Sequence, residues 1–531
     1  MKTKLYILLL SPFCSSAYAN VEEVSVPISV VITDFFEFIL TPIVSFLAFV
    51  FLGGEYEIFG EVKQITILGI PLLVAWLLVG AVFFTFKLRF VNLRLFKHAI
   101  DVVRGKYRDP DAPGKVTHLQ ALFTAVAATV GLGNIAGVAI AVSLGGPGAV
   151  IWMMIAAFFG MSTKFAEVTL GQKYRRFEKG HLYAGSFYYL EDGFKEKGYV
   201  KTGQFFGKFS AILCIGGAIG GGLMFQANQS AAIIADSFNL GSMSKFIFIL
   251  LLSGVIGAIL LGGITRIASL AEKVVPLMAC IYIISCIIIL LANYSNVVDA
   301  VRLMFHSAFS ENALYGGIIG AIVQGFKRAA FSNEAGIGSA PIAHAAAKTK
   351  EPIREGSVAL LEPFIDTITI CFMTGIVIVV TGSYENANVD EGGVLITKAA
   401  FATVSSWFPY ILSLAVFLFA FSTMLTYSYY GQQAWLYLTH GKKVYLCHLL
   451  FVFFIFVGGM MHLGIVIDFA DILFLSMAIP NLIGLYVMSG NIKEDTDNYI
   501  FRLKSGEFSN LVYKNETNAD TEEKQEAKSE S

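Results

Sequence analysis

The stretch ATVGLGNIAGVA, residues 128–139, places three glycines (Gly131, Gly133, Gly137) and Asn134 inside a run with no charged residue from Leu119 to Thr163. A helix of about 20 residues crosses the roughly 30 Å hydrocarbon layer of a bilayer. Leu119 to Thr129 is about half that length, so the glycines fall near mid-membrane. Each weakens a helix by roughly 1 kcal/mol relative to alanine. Unpaired backbone groups at that depth are tolerated only where protein, ligand or ion satisfies them. Gly133 and Gly137 also form a small-xxx-small pair, which by itself would serve close helix packing. A dinucleotide fingerprint would need a strand–turn–helix setting, which an uninterrupted apolar run does not supply.

Composition sets the surroundings. The chain has 531 residues, of which 56% are hydrophobic and only 15% charged. Soluble domains carry about 25% charged residues. Long apolar stretches recur from 66 to 490, which marks an all-α polytopic membrane protein whose solvent is the lipid bilayer. A net charge of −1 gives no footprint for nucleic acid. The six cysteines lie in apolar segments without C-x-x-C spacing, as small buried hydrophobes do. The start, MKTK, then LYILLL, then AYA before Asn20, has the parts of a signal peptide over 1–19. The polar end of the chain, within 491–531, is expected to be cytoplasmic and largely disordered.

Ten principal spans follow a helix at 66–87. They are expected near 119–143, 147–168, 209–236, 246–264, 274–292, 315–344, 359–382, 408–438, 444–463 and 466–490, about 11 in all. Lys and Arg concentrate in alternate loops, 87–115, 173–180, 265–273, 348–356 and 440–443, which places those loops in the cytoplasm. Helix 66–87 then runs from outside to inside. With a cleaved signal, 20–65 is an exported segment whose apolar part, 29–52, is interfacial or re-entrant. With an uncleaved, cytoplasmic N-terminus, 29–52 spans instead.

A second anomaly matches the first. FKRAAFSNEAGIGSAP, residues 326–341, interrupts the sixth principal span with Ser332, Asn333, Glu334, Gly336, Gly338 and Pro341. Breaks in spans one and six divide ten spans into two sets of five, each opening on an interrupted helix. An odd number per set inverts one relative to the other. Interrupted helices at matching positions point to the site of a secondary transporter. Half-helix N-termini suit a carboxylate, and freed carbonyls and hydroxyls suit a small cation.

The motifs TAVAATVGLGNIAG (124–137), GGPGAVIWMMIAAFFGMSTKFAEV (145–168), MFQANQ (224–229), AAFSNEAGIGSAP (329–341), LLEPFIDT (360–367), FAFSTML (419–425) and MAIPNLIGLY (477–486) together resemble the alanine or glycine:cation symporter family. The resemblance covers about 66–490. It implies a five-plus-five inverted-repeat, leucine-transporter-type fold with one or two extra N-terminal helices. It implies sodium-driven uptake of small neutral amino acids at a bacterial plasma (inner) membrane, with Na⁺ as coupling ion and no organic cofactor. Carried over by position, the substrate would lie against Thr129, Gly131, Gly133, Asn134, Phe331, Ser332, Asn333 and Gly336, with Gln226 and Asn228 at its polar end. Fold-level analogy puts sodium at the carbonyls of Ala127, Val130 and Phe419 and the hydroxyls of Ser422 and Thr423. Leu223 departs from the family pattern, which commonly has Asn before MFQ, and Gln432 stands where relatives commonly have Glu. Gln432 is expected to make a helix-end contact.

Individual charges are expected to be structural. Glu334 is read as a cap of the broken helix or a partner of Lys327 or Arg328. Glu362 and Asp366, four apart, share a helical face and suit a gate or ion-pair network. Lys164 and Glu167 are read as a helical pair at the cytoplasmic end. No Ser–His–Asp or paired-carboxylate set has positional support for an enzyme. The alternatives are proton-coupled transport of another small metabolite on the same fold, with Glu334 or Asp366 essential, and a non-transporting amino-acid sensor or channel.

Overall fold

The apolar runs fold as helices because a membrane-embedded backbone must satisfy its N–H and C=O groups within its own segment. The computed structural model describes residues 70–509 except 179–180, 261–262, 311–316 and 386–392, together with residue 511 and short pieces between 38 and 67. The expected signal peptide, most of 20–65 and the last twenty residues of the tail lie outside the described residues.

In chain order the main helices are α1 (Leu72–Lys87), α2 (His118–Thr129), α3 (Ala136–Gly145), α4 (Gly148–Lys173), α5 (Val200–Gly217), α6 (Phe225–Ser237), α7 (Ser242–Ile259), α8 (Gly263–Ala292), α9 (Tyr294–Phe309) and α10 (Gly317–Asn333). They continue as α11 (Pro352–Ala359), α12 (Phe372–Thr381), α13 (Pro409–Thr439), α14 (Val444–Met460), α15 (Leu463–Ser476) and α16 (Ala478–Lys504). Among the described residues, seven helices are long and apolar enough to cross a membrane, eight when α2 and α3 count as one bent span. All the segments expected to span contain helix, with α1, α10 and α14 among the shorter ones.

Polarity runs opposite to that of a soluble protein. Leu251, Ile284 and Leu291 are exposed, while Asn134, Glu355, Glu362, Asp366 and Asp471 are wholly buried. Apolar side chains cover the outside, and these polar groups are set within a largely apolar core.

Several boundaries differ from the sequence expectation: α5 starts at Val200 rather than 209 and α8 at Gly263 rather than 274, and both ends of the helical region shift as well. The first helix begins at Leu72 rather than 66, because Thr66–Ile67 pairs with Ile70–Pro71 in a small antiparallel ribbon. At the other end α16 continues past 490 to Lys504. Ile492, Thr496, Tyr499 and Ile500 are buried, an i, i+4, i+7, i+8 stripe that gives the polar extension a face to dock.

Candidate functional site

The first interruption is built from the backbone upward. A capping box starts α2: Thr117 Oγ1 accepts from Gln120 N (3.2 Å), and Gln120 Oε1 accepts from Thr117 N (3.0 Å). The helix stops at Thr129, where the next N–H groups turn elsewhere. Gly131 N donates to Asn134 Oδ1 at 2.9 Å and Leu132 N to Gln226 Oε1 at 3.0 Å. The Ala127 carbonyl, freed of its helical partner, accepts from Thr423 Oγ1 at 3.1 Å. Asn134 N bonds Gly131 O at 3.2 Å, so the Val130 carbonyl also loses its helical donor. A short 3-10 turn, Leu132–Asn134, joins α2 to α3, and the two helices meet at 60°.

Close approach requires a glycine here. A Cβ on residue 131 would lie 2.6 Å from Thr423 Oγ1 and 3.2 Å from Gln226 Oε1. One on residue 133 would lie 3.2 Å from the Phe331 ring.

The second interruption meets the first. α10 ends at Asn333, whose Oδ1 accepts from Ala335 N at 3.0 Å. Glu334 holds a left-handed backbone (φ 60°), and Gly336 and Gly338 follow at φ 93° and 83°. Such a conformation strains a non-glycine residue. Phe331 packs edge-on to Phe225 at 5.2 Å between ring centroids and against Phe474 at 5.0 Å. Phe225 and Phe331 therefore stand together, with Phe331 beside Gly133.

Asp366 joins the two interruptions. It accepts from Asn134 Nδ2, from Ser332 Oγ at 2.6 Å and from Thr367 Oγ1 at 2.7 Å. Asn333 Nδ2 extends the set to Thr367 Oγ1 at 3.0 Å. Among the described residues, every hydrogen-bond donor to the Asp366 carboxylate is neutral. A buried carboxylate without a bonded countercharge is costly in a membrane interior unless a cation or a proton joins it.

Sequence reasoning missed this role by treating 359–382 as regular helix. Residues Phe364–Cys371 form a π-helical stretch. Its i→i+5 bonding widens the turn and changes the angular step between Glu362 and Asp366. The two carboxylates serve separate networks rather than acting as one pair. Glu362 Oε1 lies 2.6 Å from His344 Nε2, away from the interruptions. A second π stretch, Ala218–Met224, immediately precedes Gln226.

The expected sodium ligands form a compact group in part. Thr423 Oγ1 reaches the Ala127 carbonyl, and Ser422 Oγ donates to the Phe419 carbonyl at 3.0 Å. Thr129 is buried at the end of α2. Two expected substrate contacts point elsewhere. Asn228 Nδ2 is held by Gly458 O (3.0 Å) and Met461 O (2.7 Å), tying α6 to the end of α14. Gly336 faces Leu77, and its carbonyl accepts from Asn481 Nδ2 at 2.8 Å.

Two charge expectations are revised, the second only in its Lys327 or Arg328 alternative. Lys164 and Glu167 are wholly buried rather than a helix-end pair. Lys164 Nζ lies 3.3 Å from Glu362, and Glu167 accepts from Asn481 Nδ2 (2.6 Å) and Gly338 N (3.1 Å). Glu334 is bonded within its own interruption, by Ser339. Lys327, at 2.7 Å, and Arg328 pair with Asp471 instead. Gln432 lies inside α13 rather than at its end, with its Oε1 3.3 Å from His448 Nε2.

The profile of the sodium:alanine symporter family matches residues 24–513. The sodium/alanine symporter AgcS of Methanococcus maripaludis is 39% identical over 433 residues, 80% of this chain and 93% of that protein. The amino-acid carrier protein AlsT of Bacillus subtilis is 31% identical over 435 residues, 81% of this chain and 90% of its own length. A solved structure of MhsT in complex with L-phenylalanine aligns with 73% of this chain and 99% of that one, at 13% identity and TM-score 0.48. The chain belongs to the sodium:alanine symporter family.

Proposed function

We propose that this family member is a sodium-coupled symporter that imports small neutral amino acids, alanine or glycine, by alternating access. The meeting of two interrupted helices around one buried carboxylate carries the reading. Asp366 touches Asn134 of the first interruption and Ser332 of the second. A cation beside it would favour the state in which both interruptions are ordered. Substrate binding to that state is then coupled to the ion.

In this reading the zwitterion lies between 129–134 and 331–333, with Gln226 ordering the first interruption and the Phe225–Phe331 wall covering its side chain. Gly131 and Gly133 already sit within contact distance of Thr423, Gln226 and Phe331, which supports a substrate with a small side chain. Sodium uses the oxygens at Ala127, Val130, Phe419, Ser422 and Thr423, and the Asp366 carboxylate holds a cation of its own. The spans form two inverted sets of five, and the loops rich in Lys and Arg face the cytoplasm of a bacterium.

The test is uptake of labelled alanine by proteoliposomes. An inward sodium gradient should drive accumulation that collapses when the gradient is dissipated. Uptake indifferent to sodium but following a pH gradient would replace sodium by the proton as coupling ion.

A further inference from the structure

At the end of the molecule that carries the basic loops, the two interrupted helices are fastened to each other. Lys115 N donates to Ala346 O at 2.7 Å and Lys348 N to Val116 O at 2.9 Å. Arg175 clamps this junction: Nη1 donates to Ala345 O (2.6 Å) and Ala347 O (2.7 Å), and Nη2 to Pro113 O (2.8 Å) and Thr349 O (2.7 Å).

Behind the clamp runs a row of buried ionisable side chains. His118 Nδ1 bonds Glu355 Oε2. Glu355 Oε1 lies 2.6 Å from His344 Nδ1, and His344 Nε2 lies 2.6 Å from Glu362 Oε1. Lys164 closes the row 3.3 Å from Glu362 Oε2. His344, Glu355, Glu362 and Lys164 are all 0% exposed.

Counting hydrogens gives the inference. Both nitrogens of His344 face carboxylate oxygens at hydrogen-bond distance, so each contact needs one proton. A neutral imidazole carries a single N–H. One further proton must reside on the imidazole or on a facing carboxyl. A neutral His118 meets Glu355 through its Nδ1–H, and its Nε2 is buried without a partner. With the additional proton, the two carboxylates are balanced by an imidazolium and by Lys164. Without it, a nitrogen lone pair would face a carboxylate oxygen at 2.6 Å.

The surrounding groups do not remove that need. Glu167 on α4 and Glu334 in the second interruption also face Lys164. Arg175 faces Glu355, and Tyr430 on α13 faces Glu362.

We propose that the His344–Glu355–Glu362 row is a proton-binding site, and that its proton locks the basic-loop end of the molecule shut. The row joins α2 through His118, the turn after the second interruption through His344, the helix from α11 onward through both glutamates, and α4 through Lys164. Parting those elements breaks the His344–carboxylate bonds. The imidazolium then gives its N–H proton to water, leaving a neutral imidazole and two hydrated carboxylates. Because the shut state binds one proton more than the open state, the open fraction rises about tenfold per pH unit between the two proton affinities. The inference rests on the transport reading only in that this end opens during the cycle.

The test follows the native thiol of Cys371, which sits behind the row against Ser332 at 3.1 Å. In full-length protein with the other cysteines changed to Ser, a membrane-impermeant maleimide is applied from the basic-loop side between pH 6 and 9. Rates are normalised to denatured protein at each pH. The normalised rate should rise about tenfold per unit over part of that range. The His344→Gln and Glu355→Gln variants, which need no additional proton, should lose the slope. A flat profile in the protein with His344 intact overturns the proposal, and so does an unchanged slope in Glu355→Gln should His344→Gln fail to fold. The readout needs neither sodium nor alanine. Absent uptake with an intact pH profile would therefore refute the transport reading and leave the proton site standing.

Discussion

Asp366 and Asn228 separate two kinds of buried polar residue. In the proposed reading Asp366 holds a cation between two unwound stretches, so Asp366→Asn keeps the shape and removes that countercharge. Alanine uptake should fall by about a hundredfold or more, equivalent to roughly 3 kcal/mol, and added sodium should raise the thermal midpoint less than it does in the unaltered protein. Asn228 spends its amide on Gly458 and Met461. Asn228→Ala should cost about 1–3 kcal/mol of stability while leaving the alanine KM of the surviving protein within about twofold. A large KM change there would return Asn228 to the substrate site. Gly131→Ala drives a methyl to within 2.6 Å of Thr423 Oγ1. It should raise the sodium concentration for half-maximal uptake, a shift read directly from sodium titrations.

At the scale of the element, the α2–α3 interruption was legible because glycines and Asn134 violate helix propensity in an otherwise uniform apolar run. The second interruption showed itself in Ser332, Asn333, Gly336 and Pro341 for the same reason. The π stretches left no such mark. FIDTITIC contains residues an ordinary α-helix accepts, and the three glycines of AIGGGLM (Gly220, Gly221, Gly222) weaken a helix without specifying the wider turn. Asp366 was therefore assigned to a gate or ion-pair network; Lys164, in the regular helix α4, was read as part of a helical pair at the cytoplasmic end although it is wholly buried. The continuation of α16 was hidden by its polar composition, since its apolar stripe has meaning only against a docked partner. That partner includes the segment Phe96–Val103, where His98 Nε2 lies 2.8 Å from Tyr499 OH. Burial, with Arg354 nearby, pushes the His98 pKa down from 6.5 to about 4. The folded protein keeps this imidazole neutral, whereas the unfolded chain protonates it below about 6.5. Stability from this site is thus full above that pH and is lost as pH falls toward 4. The thermal midpoint in detergent should drop between pH 7 and 5, and His98→Asn should reduce that drop.

The whole molecule is fastened on both sides of the interruptions. On one side stand the Arg175 clamp and the His344 row; on the other, Lys327 and Arg328 converge on Asp471, with Arg328 5.5 Å above the Phe331 ring. Alternating access requires these fastenings to release in turn, because simultaneous release would make a channel. Arg175→Ala removes donors to four carbonyls on two loops. It should speed maleimide labelling of Cys371 from the basic-loop side several-fold, with no matching increase from the opposite side. Equal acceleration from both sides would show general loosening instead. The most direct test of the central claim is a cryo-EM map of the protein with alanine and sodium, compared with a map lacking both. The account predicts ligand density enclosed by 129–134, 331–333 and Gln226, with cation density against the Asp366 carboxylate. Unchanged side-chain packing there in both maps, with alanine density elsewhere or nowhere, would contradict it.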